Sequence, residues 1–396
     1  MLSILTVSTL FPNPVNPSHG SFVATRLEKL VASGEVDAEV IAPVPWSPSW
    51  LPYSPSGRLD RVPRFRMHGG LMVHHPRYLV VPKVGMTLTP RTLFWALKSC
   101  LQDLLARGRR FDLIDAHYFY PDGVAAVRLA GEFSIPVVVT ARGTDLNLIP
   151  EYRAPRHMIC HAAAQADGLI TVCQALKDRL VELGTAADDV VVLRNGVDLQ
   201  LFRPMDRQAA RAQLGLTRRT LASVGWLVER KGHHHAIRAL RALPETDLLI
   251  VGEGPERTRL ERIAAEEGVS GRVRFLGRME QKQLPGVYNA VDALVLASSR
   301  EGWANVLLEA MACGTPVVAS AVWGTPEVVA APEAGVLMDT LDTEGVVDGV
   351  TRLFSTTLER AATRRYAEGF SWDATTQGQL DLFRKILTAR QPNTSA

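Results

Sequence analysis

A chain of 396 residues with 46% hydrophobic and 21% charged residues has the composition of a soluble α/β protein, long enough for two domains. A net charge of +3 is too small to imply a nucleic-acid partner. Cys100, Cys160, Cys173 and Cys313 stand singly, without CxxC or CxxH spacing, so neither a zinc site nor a disulfide framework is indicated and reduced thiols in a cytosolic protein are expected.

The chain opens on MLSILTVSTLFPNP, which lacks the basic start and long apolar core of a signal peptide. No later segment reaches 18 uninterrupted apolar residues, so any membrane contact is expected to be peripheral. Short β-branched runs then alternate with helix-like stretches: LSILTVST, AEVIAP, FDLIDAH, IPVVVTAR, GLITVC and DVVVLRNG. Between the second and third lies a basic stretch, Arg58 to Arg110, with eleven Lys/Arg against two Asp/Glu. Within it RTLFWALKSCLQDLLARGRR carries Leu93, Phe94, Leu97, Leu101, Leu104 and Leu105 at helical spacing. Two readings stand for this amphipathic helix: docking on an anionic membrane that holds a lipid-linked acceptor, or ordinary packing on the first sheet. His117 ends a strand and precedes YFYPDG, a position that suits either a ligand contact or a satisfied structural histidine.

FRPMDRQAARAQLGLTRR, Phe202 to Arg219, separates the first series from a second: RTLASVGW, TDLLIVGEG, VRFLG, ALVLASS, TPVVAS and AGVLM. Two such series predict an α/β chain of two doubly wound, Rossmann-like domains with parallel sheets. The expected domains are 1–203 and 204–370, with a helix over 371–390 packing back on the first domain and a disordered tail over 391–396. Ligands bind at the carboxyl ends of such strands, so two facing sheets would share one cleft.

Three loops of the second series carry the chemistry. SSREGWANVLLEAMACGTPVVAS reads as a strand end, a loop and a helix stopped by Gly314 and Pro316. Glu301 falls just before that helix and Glu309 inside it, about 12 Å apart along the axis. Between them lie the amides of Gly302, Trp303, Ala304 and Asn305, a helix N-terminus suited to a phosphate. Two carboxylates flanking a diphosphate site match the order of a sugar nucleotide: sugar hydroxyls, phosphates, ribose hydroxyls. The plainer reading has Glu301 capping the helix and Glu309 paired with a core arginine. VGWLVERKG offers Gly225, Arg230 and Lys231, and VGEGPE offers Gly252 and Gly254 for close backbone approach to a ligand. His233, His234 and His235 point to different sides of a helix, which argues against a shared metal ion, and His74–His75 carry the same discount.

NGVD, VGWLVERKG, VGEGPE, FLG, SREGWANVLLEAMACGTPVVAS and GTPEVV, in this order, resemble a family 4 glycosyltransferase of the two-Rossmann-domain (GT-B) architecture. FPNPVNPSHGSF and ARGTDLN extend the resemblance more loosely into the first half. It implies retaining sugar transfer from a nucleoside-diphosphate sugar, a UDP-sugar favoured over a GDP-sugar, to a glycan or lipid-linked acceptor. It implies no metal and no cofactor, and an enzyme of cell-surface polysaccharide or glycoconjugate synthesis in the cytoplasm, at the inner face of the cell membrane if the basic helix docks. Glu301 would meet the donor sugar, Glu309 the ribose and Lys231 the diphosphate. Gly20 would let its loop approach donor and acceptor. Two positions depart from the pattern. Trp226 stands where the family often has an arginine, so Arg230 is the candidate substitute. Arg142 stands where many members have a sugar-contacting histidine, with Asp145 close by. A catalytically silent sugar-nucleotide or glycan-binding protein is the competing reading. An NAD-dependent dehydrogenase would need GxGxxG after the first strand, and VSTLFPNPVNPSHG does not supply it.

Overall fold

Each of the twelve β-branched runs is a strand in the computed structural model, which describes residues 1–48, 50, 59–81 and 85–390. The chain divides into two units: Met1–Arg194 together with the residues from Asp373 onward, and Asn195–Trp372. The change of unit thus falls nine residues before the expected 203/204 boundary. Hydrogen bonds explain it, since Val197 N donates to Phe370 O and Arg364 Nη1 to Phe202 O, both within the second unit. The expected tail over 391–396, and Arg58 and Lys83 of the basic stretch, lie outside the described residues.

The first unit contains β1 (Leu2–Val7), β2 (Val36–Ile41), β3 (Val44–Trp46), β4 (Phe65–His68), β5 (Leu71–His74), β6 (Arg77–Leu79), β7 (Leu113–His117), β8 (Val137–Ala141), β9 (Gly168–Thr171) and β10 (Val190–Val192). Eight of these form one sheet in the order β10-β9-β8-β7-β1-β2-β5-β4, while β3 and β6 pair separately. The six expected strands are the parallel part; β5 continues it and β4 closes the edge antiparallel to β5. A two-residue turn makes that hairpin, with Gly69 at φ 54° and Gly70 at φ 84°, the signs a type I′ turn requires. Helices Ser21–Ala32 and Trp372–Arg390 contribute Val23, Leu27, Leu30, Leu380 and Phe383 to one core with Ile4, Val40 and Leu113.

Helix Thr89–Ala106 decides between the two readings of the basic stretch. Leu93, Phe94, Leu97, Leu101 and Leu104 are buried, so the apolar stripe faces the interior of its own unit and is not available to a bilayer. Docking through that stripe is overturned.

The second unit contains β11 (Arg219–Val224), β12 (Thr246–Val251), β13 (Val273–Gly277), β14 (Ala293–Leu296), β15 (Val317–Ser320) and β16 (Gly335–Met338), all parallel, in the order β13-β12-β11-β14-β15-β16. This is the Rossmann order, whose switch point lies between its first and fourth strands, here β11 and β14. In the first unit the corresponding reversal lies between β1 and β7. The loops leaving these four strands are where each fold leaves room for a ligand.

Candidate active site

In the second unit both switch-point strands lead into the expected loops. After β11 the chain turns through Gly225 to Lys231, and after β14 it runs from Ala297 to the helix Asn305–Ala312. Gly232 joins the two loops. It sits at φ 69°, and a Cβ there would collide with the carbonyl of Ala297, so only glycine permits the contact. Ser299 N donates to Arg230 O at 2.8 Å beside it. The result is a salt bridge, Lys231 Nζ to Glu301 Oε1 at 2.6 Å, with both side chains largely buried. Arg230 reaches across the same seam to the carbonyl of Arg300 at 3.4 Å.

The N-cap of the following helix is Ala304, so Glu301 lies three residues ahead of the cap position. Glu309 does not pair with a core arginine. Its Oε2 accepts from the Tyr288 hydroxyl at 2.9 Å and its Oε1 from Gln281 Nε2 at 3.4 Å, both neutral donors. Burial raises its pKa, with Tyr288 and Gln281 pulling the other way. Two corrections concern the helix tip. Asn305 N donates to Trp303 O at 3.1 Å, so this amide is engaged within the loop. The Trp303 ring is buried and its Nε1 donates to Asn195 O at 3.0 Å, so Trp303 anchors the NGVD loop and presents only backbone to a ligand. Gly302 and Ala304 complete the turn between Glu301 and the helix.

Gly252 and Gly254 pack closely against the neighbouring loop. At φ 144° a Cβ on Gly252 would strike Gly225 O, and one on Gly254 would strike Leu227 O. This loop-against-loop approach holds Gly225 beside Lys231. Trp226 is 52% exposed at the rim of this turn.

The first unit gathers His117, Arg142 and Asp145 beside its own switch point. His117 ends β7 and Arg142 follows β8, with Arg142 Nη2 donating to His117 Nδ1 at 2.8 Å. Arginine carries no acceptor, so Nδ1 holds the lone pair and the proton sits on Nε2, which lies 3.2 Å from Asp115 Oδ2. Burial pushes the His117 pKa down to about 4; Asp115 opposes and Arg142 reinforces the shift. His117 is therefore neutral near pH 7. Asp115 Oδ2 also accepts from Gln379 Nε2 at 2.8 Å, and Gln379 Oε1 accepts from Arg26 Nε at 2.9 Å. Asp145 is a brace. Its carboxylate accepts from the backbone amides of Phe119, Arg142 and Gly143, which pins the loops after β7 and β8 together. Gly20, at φ 64°, packs its backbone against Leu10 and starts the helix Ser21–Ala32.

Sequence reasoning missed Asp115, Gln379, Arg26, Tyr288 and Gln281. Asp115 interrupts an otherwise apolar strand, LIDAH, and was visible as a buried acid in want of a partner. The others lie too far away in sequence to be paired with what they hold. No group of three or more His, Cys, Asp or Glu among the described residues could hold a metal. His233 is buried against the Ser223 hydroxyl at 2.8 Å, while His235 faces Thr343. His74 pairs with Glu39, and His75 bonds to Ala42 O.

Comparison with known proteins agrees with this geometry. A family model described as "Glycosyl transferases group 1" matches residues 206–370, and one described as "Glycosyltransferase Family 4" matches residues 39–201. The D-inositol 3-phosphate glycosyltransferase of Saccharomonospora viridis is 34% identical over 308 residues, which cover 70% of this chain and 71% of the relative. That of Mycolicibacterium smegmatis is 36% identical over 309 residues, covering 72% and 70%. Among solved structures, sucrose-phosphate synthase from Thermosynechococcus elongatus superposes with a TM-score of 0.82 at 21% identity, over 98% of this chain and 100% of that one. Anabaena Alr3699/HepE, solved in complex with UDP and glucose, gives 0.75 at 20% identity, over 97% and 100%. The fold is that of the GT-B glycosyltransferases. The chain belongs to the family 4 glycosyltransferases.

Proposed function

We propose that the chain transfers a hexosyl or related sugar from a UDP-sugar to a hydroxyl of a glycan or lipid-linked acceptor, with retention of configuration and without a metal. The observation that carries this reading is the Lys231–Glu301 salt bridge at the switch point of a Rossmann sheet, beside a helix that carries Glu309 one face further on. The two charges satisfy each other. A bound donor offers each a better partner: the diphosphate for Lys231, and sugar hydroxyls for the Glu301 carboxylate. Glu309, held by Tyr288 and Gln281, is proposed to accept from ribose hydroxyls.

In the transfer step the bond between the anomeric carbon and the β-phosphate oxygen breaks, and a bond to the acceptor oxygen forms on the same face. The acceptor proton passes to the departing phosphate oxygen. Negative charge grows on the diphosphate, where Lys231 and the backbone amides around Gly302 would stabilise it. Glu301 orients the sugar and is not assigned as a nucleophile. In the first unit the Arg142 guanidinium, positioned by neutral His117, is the proposed polar contact for sugar or acceptor. HepE, solved with UDP and glucose, supports a UDP-sugar donor, and the inositol-phosphate relatives add polyol phosphates to the acceptors worth testing. Use of cytoplasmic sugar nucleotides on a lipid-linked acceptor would place the reaction at the inner face of the cell membrane, in polysaccharide or glycoconjugate synthesis.

The test is to incubate the purified chain with UDP-, GDP- and ADP-sugars, with and without acceptor, in the presence of chelator, and to measure nucleotide release. Slow release from a UDP-sugar, accelerated by acceptor, supports the reading. Nucleotide binding without release under any condition would mark a silent sugar-nucleotide binder instead.

A further inference from the structure

The second unit carries a cavity of about 340 Å³ at the edge of its sheet opposite the Lys231–Glu301 pair. Arg219 opens β11, Asp292 immediately precedes β14 and Pro316 immediately precedes β15, so three neighbouring strands present their amino ends to it. Lys231 and Glu301 instead follow the carboxyl ends of β11 and β14. The six residues of β11 put roughly 17 Å between the two places. Leu353 and Phe354 of helix Thr343–Ser355, with Leu358 beyond it, supply an apolar wall. A volume of this size admits a small ligand.

Three arginines line the cavity against one carboxylate, and that carboxylate is already engaged. Asp292 Oδ1 accepts from Arg207 Nη2 at 2.6 Å, and its Oδ2 accepts from Thr220 N at 2.8 Å and from Arg211 Nη1 at 3.3 Å. Arg207 Nε is buried without an acceptor. Arg219 makes no hydrogen bond or ion pair among the described residues. Its guanidinium lies over the Phe354 ring, 4.3 Å from the centroid, a stack that steadies the plane and leaves the N–H edge for a ligand. Arg360 Nη1 donates to Val291 O at 3.1 Å and Nη2 to Thr315 Oγ1 at 2.5 Å, which fixes the third cation in place. Burial, and after it Arg207, pulls the Arg360 pKa down to about 10, with Asp292 opposing. The nearby acids Asp206 and Glu359 do not line the cavity, and Asp206 is spent on capping helix Arg207–Gln213 through Gln208 N and Ala209 N. Guanidinium groups beside an apolar wall suit the oxygens of a phosphate that carries a hydrophobic remainder. We propose that this cavity is a further small-molecule site and takes an organic phosphate, with the phosphate among Arg207, Arg219 and Arg360 and the apolar part on Phe354 and Leu358. The inference rests on no step of sugar transfer.

Calorimetric titration with phenyl phosphate tests it, on the full wild-type chain and on Lys231→Ala, which lacks the cation proposed for the donor diphosphate. Phenyl phosphate is expected to bind both, at least about tenfold tighter than inorganic phosphate does, because its ring is buried on the apolar wall. Arg219→Ala, alone or combined with Lys231→Ala, should lose at least about tenfold in that affinity. The Arg219 side chain is exposed, so the melting temperature of this variant should stay nearly unaltered, which guards against misfolding. A wild-type chain that does not bind phenyl phosphate, or equal affinity in Arg219→Ala and wild type, overturns the proposal. So does binding that Lys231→Ala abolishes and Arg219→Ala keeps, which would put the ligand at the other edge of the sheet. Equal affinity for inorganic and phenyl phosphate overturns the assignment to an organic phosphate. The titration is read without donor or acceptor, so its failure leaves the transferase reading standing.

Discussion

Lys231 and Glu301 are seventy residues apart in sequence and 2.6 Å apart in space, and what they do for each other in the resting protein bears on what they do in turnover. A lysine set against a carboxylate keeps its place, so a cation waits where leaving-group charge will develop. Lys231→Ala is expected to lower kcat about 10²–10³-fold, the range found when one preorganised charge-stabilising donor is removed. Steady-state kinetics with saturating donor check this, and a variant with normal kcat contradicts it. Lys231 and Glu301 were each legible in the residues, because both fall in polar loops that follow apolar runs, but their ion pair was not. The buried chain Arg26–Gln379–Asp115–His117–Arg142 was not, since Gln379 and Asp115 are 264 residues apart and nothing local announces their bond.

Secondary-structure elements show the same division. The parallel strands were readable as continuous apolar runs, since a strand buried on both faces has no alternation to hide it. β4 and β5 were not, because RFRMHGGLMVHH alternates weakly and carries several charges, although its Gly-Gly pair was a hairpin signal in plain view. Helix Thr89–Ala106 was placed correctly while its apolar face was open to two destinations, and periodicity alone does not say whether a stripe meets a sheet or a bilayer. Glycines of the VGEG loop were read as room for a ligand, and they also make room for the neighbouring loop. Gly252→Ala should therefore destabilise the second unit by about 1–3 kcal/mol, through strain at φ 144° and collision with Gly225 O. Denaturant melts would show it, and an unchanged midpoint would mean that the neighbouring loop yields. In the C-terminal helix, Gln379→Leu leaves Arg26 Nε without its acceptor and Asp115 without one donor. A loss of about 2–4 kcal/mol is expected by the same measurement.

At the scale of the whole molecule, the chain leaves its first unit at Arg194 and returns to it at Asp373, so that unit is complete only when the last helix is made. The stability of the chain should depend on pH with a definite sign. Burial holds the imidazoles of His75, His117, His233 and His234 down at about 4. The unfolded chain binds these protons near pH 6.5, so their contribution is full above that value and is lost as pH falls towards 4. Asp122, raised by burial to about 7, acts in the opposite sense, favouring the native state at the acid end of the same window. Four imidazoles outweigh Asp122, and melting temperatures should fall from about pH 7 to about pH 5; a flat or rising profile contradicts the buried-neutral assignment.

The account turns on Glu301 and Glu309 holding different ends of one donor, and kinetics of the paired variants with a UDP-sugar test this most directly. Glu309→Ala should raise the donor KM and weaken UDP binding with kcat largely kept, whereas Glu301→Ala should cut kcat with UDP affinity nearly intact. Identical, wild-type kinetics in both variants, or the two phenotypes exchanged, would contradict it.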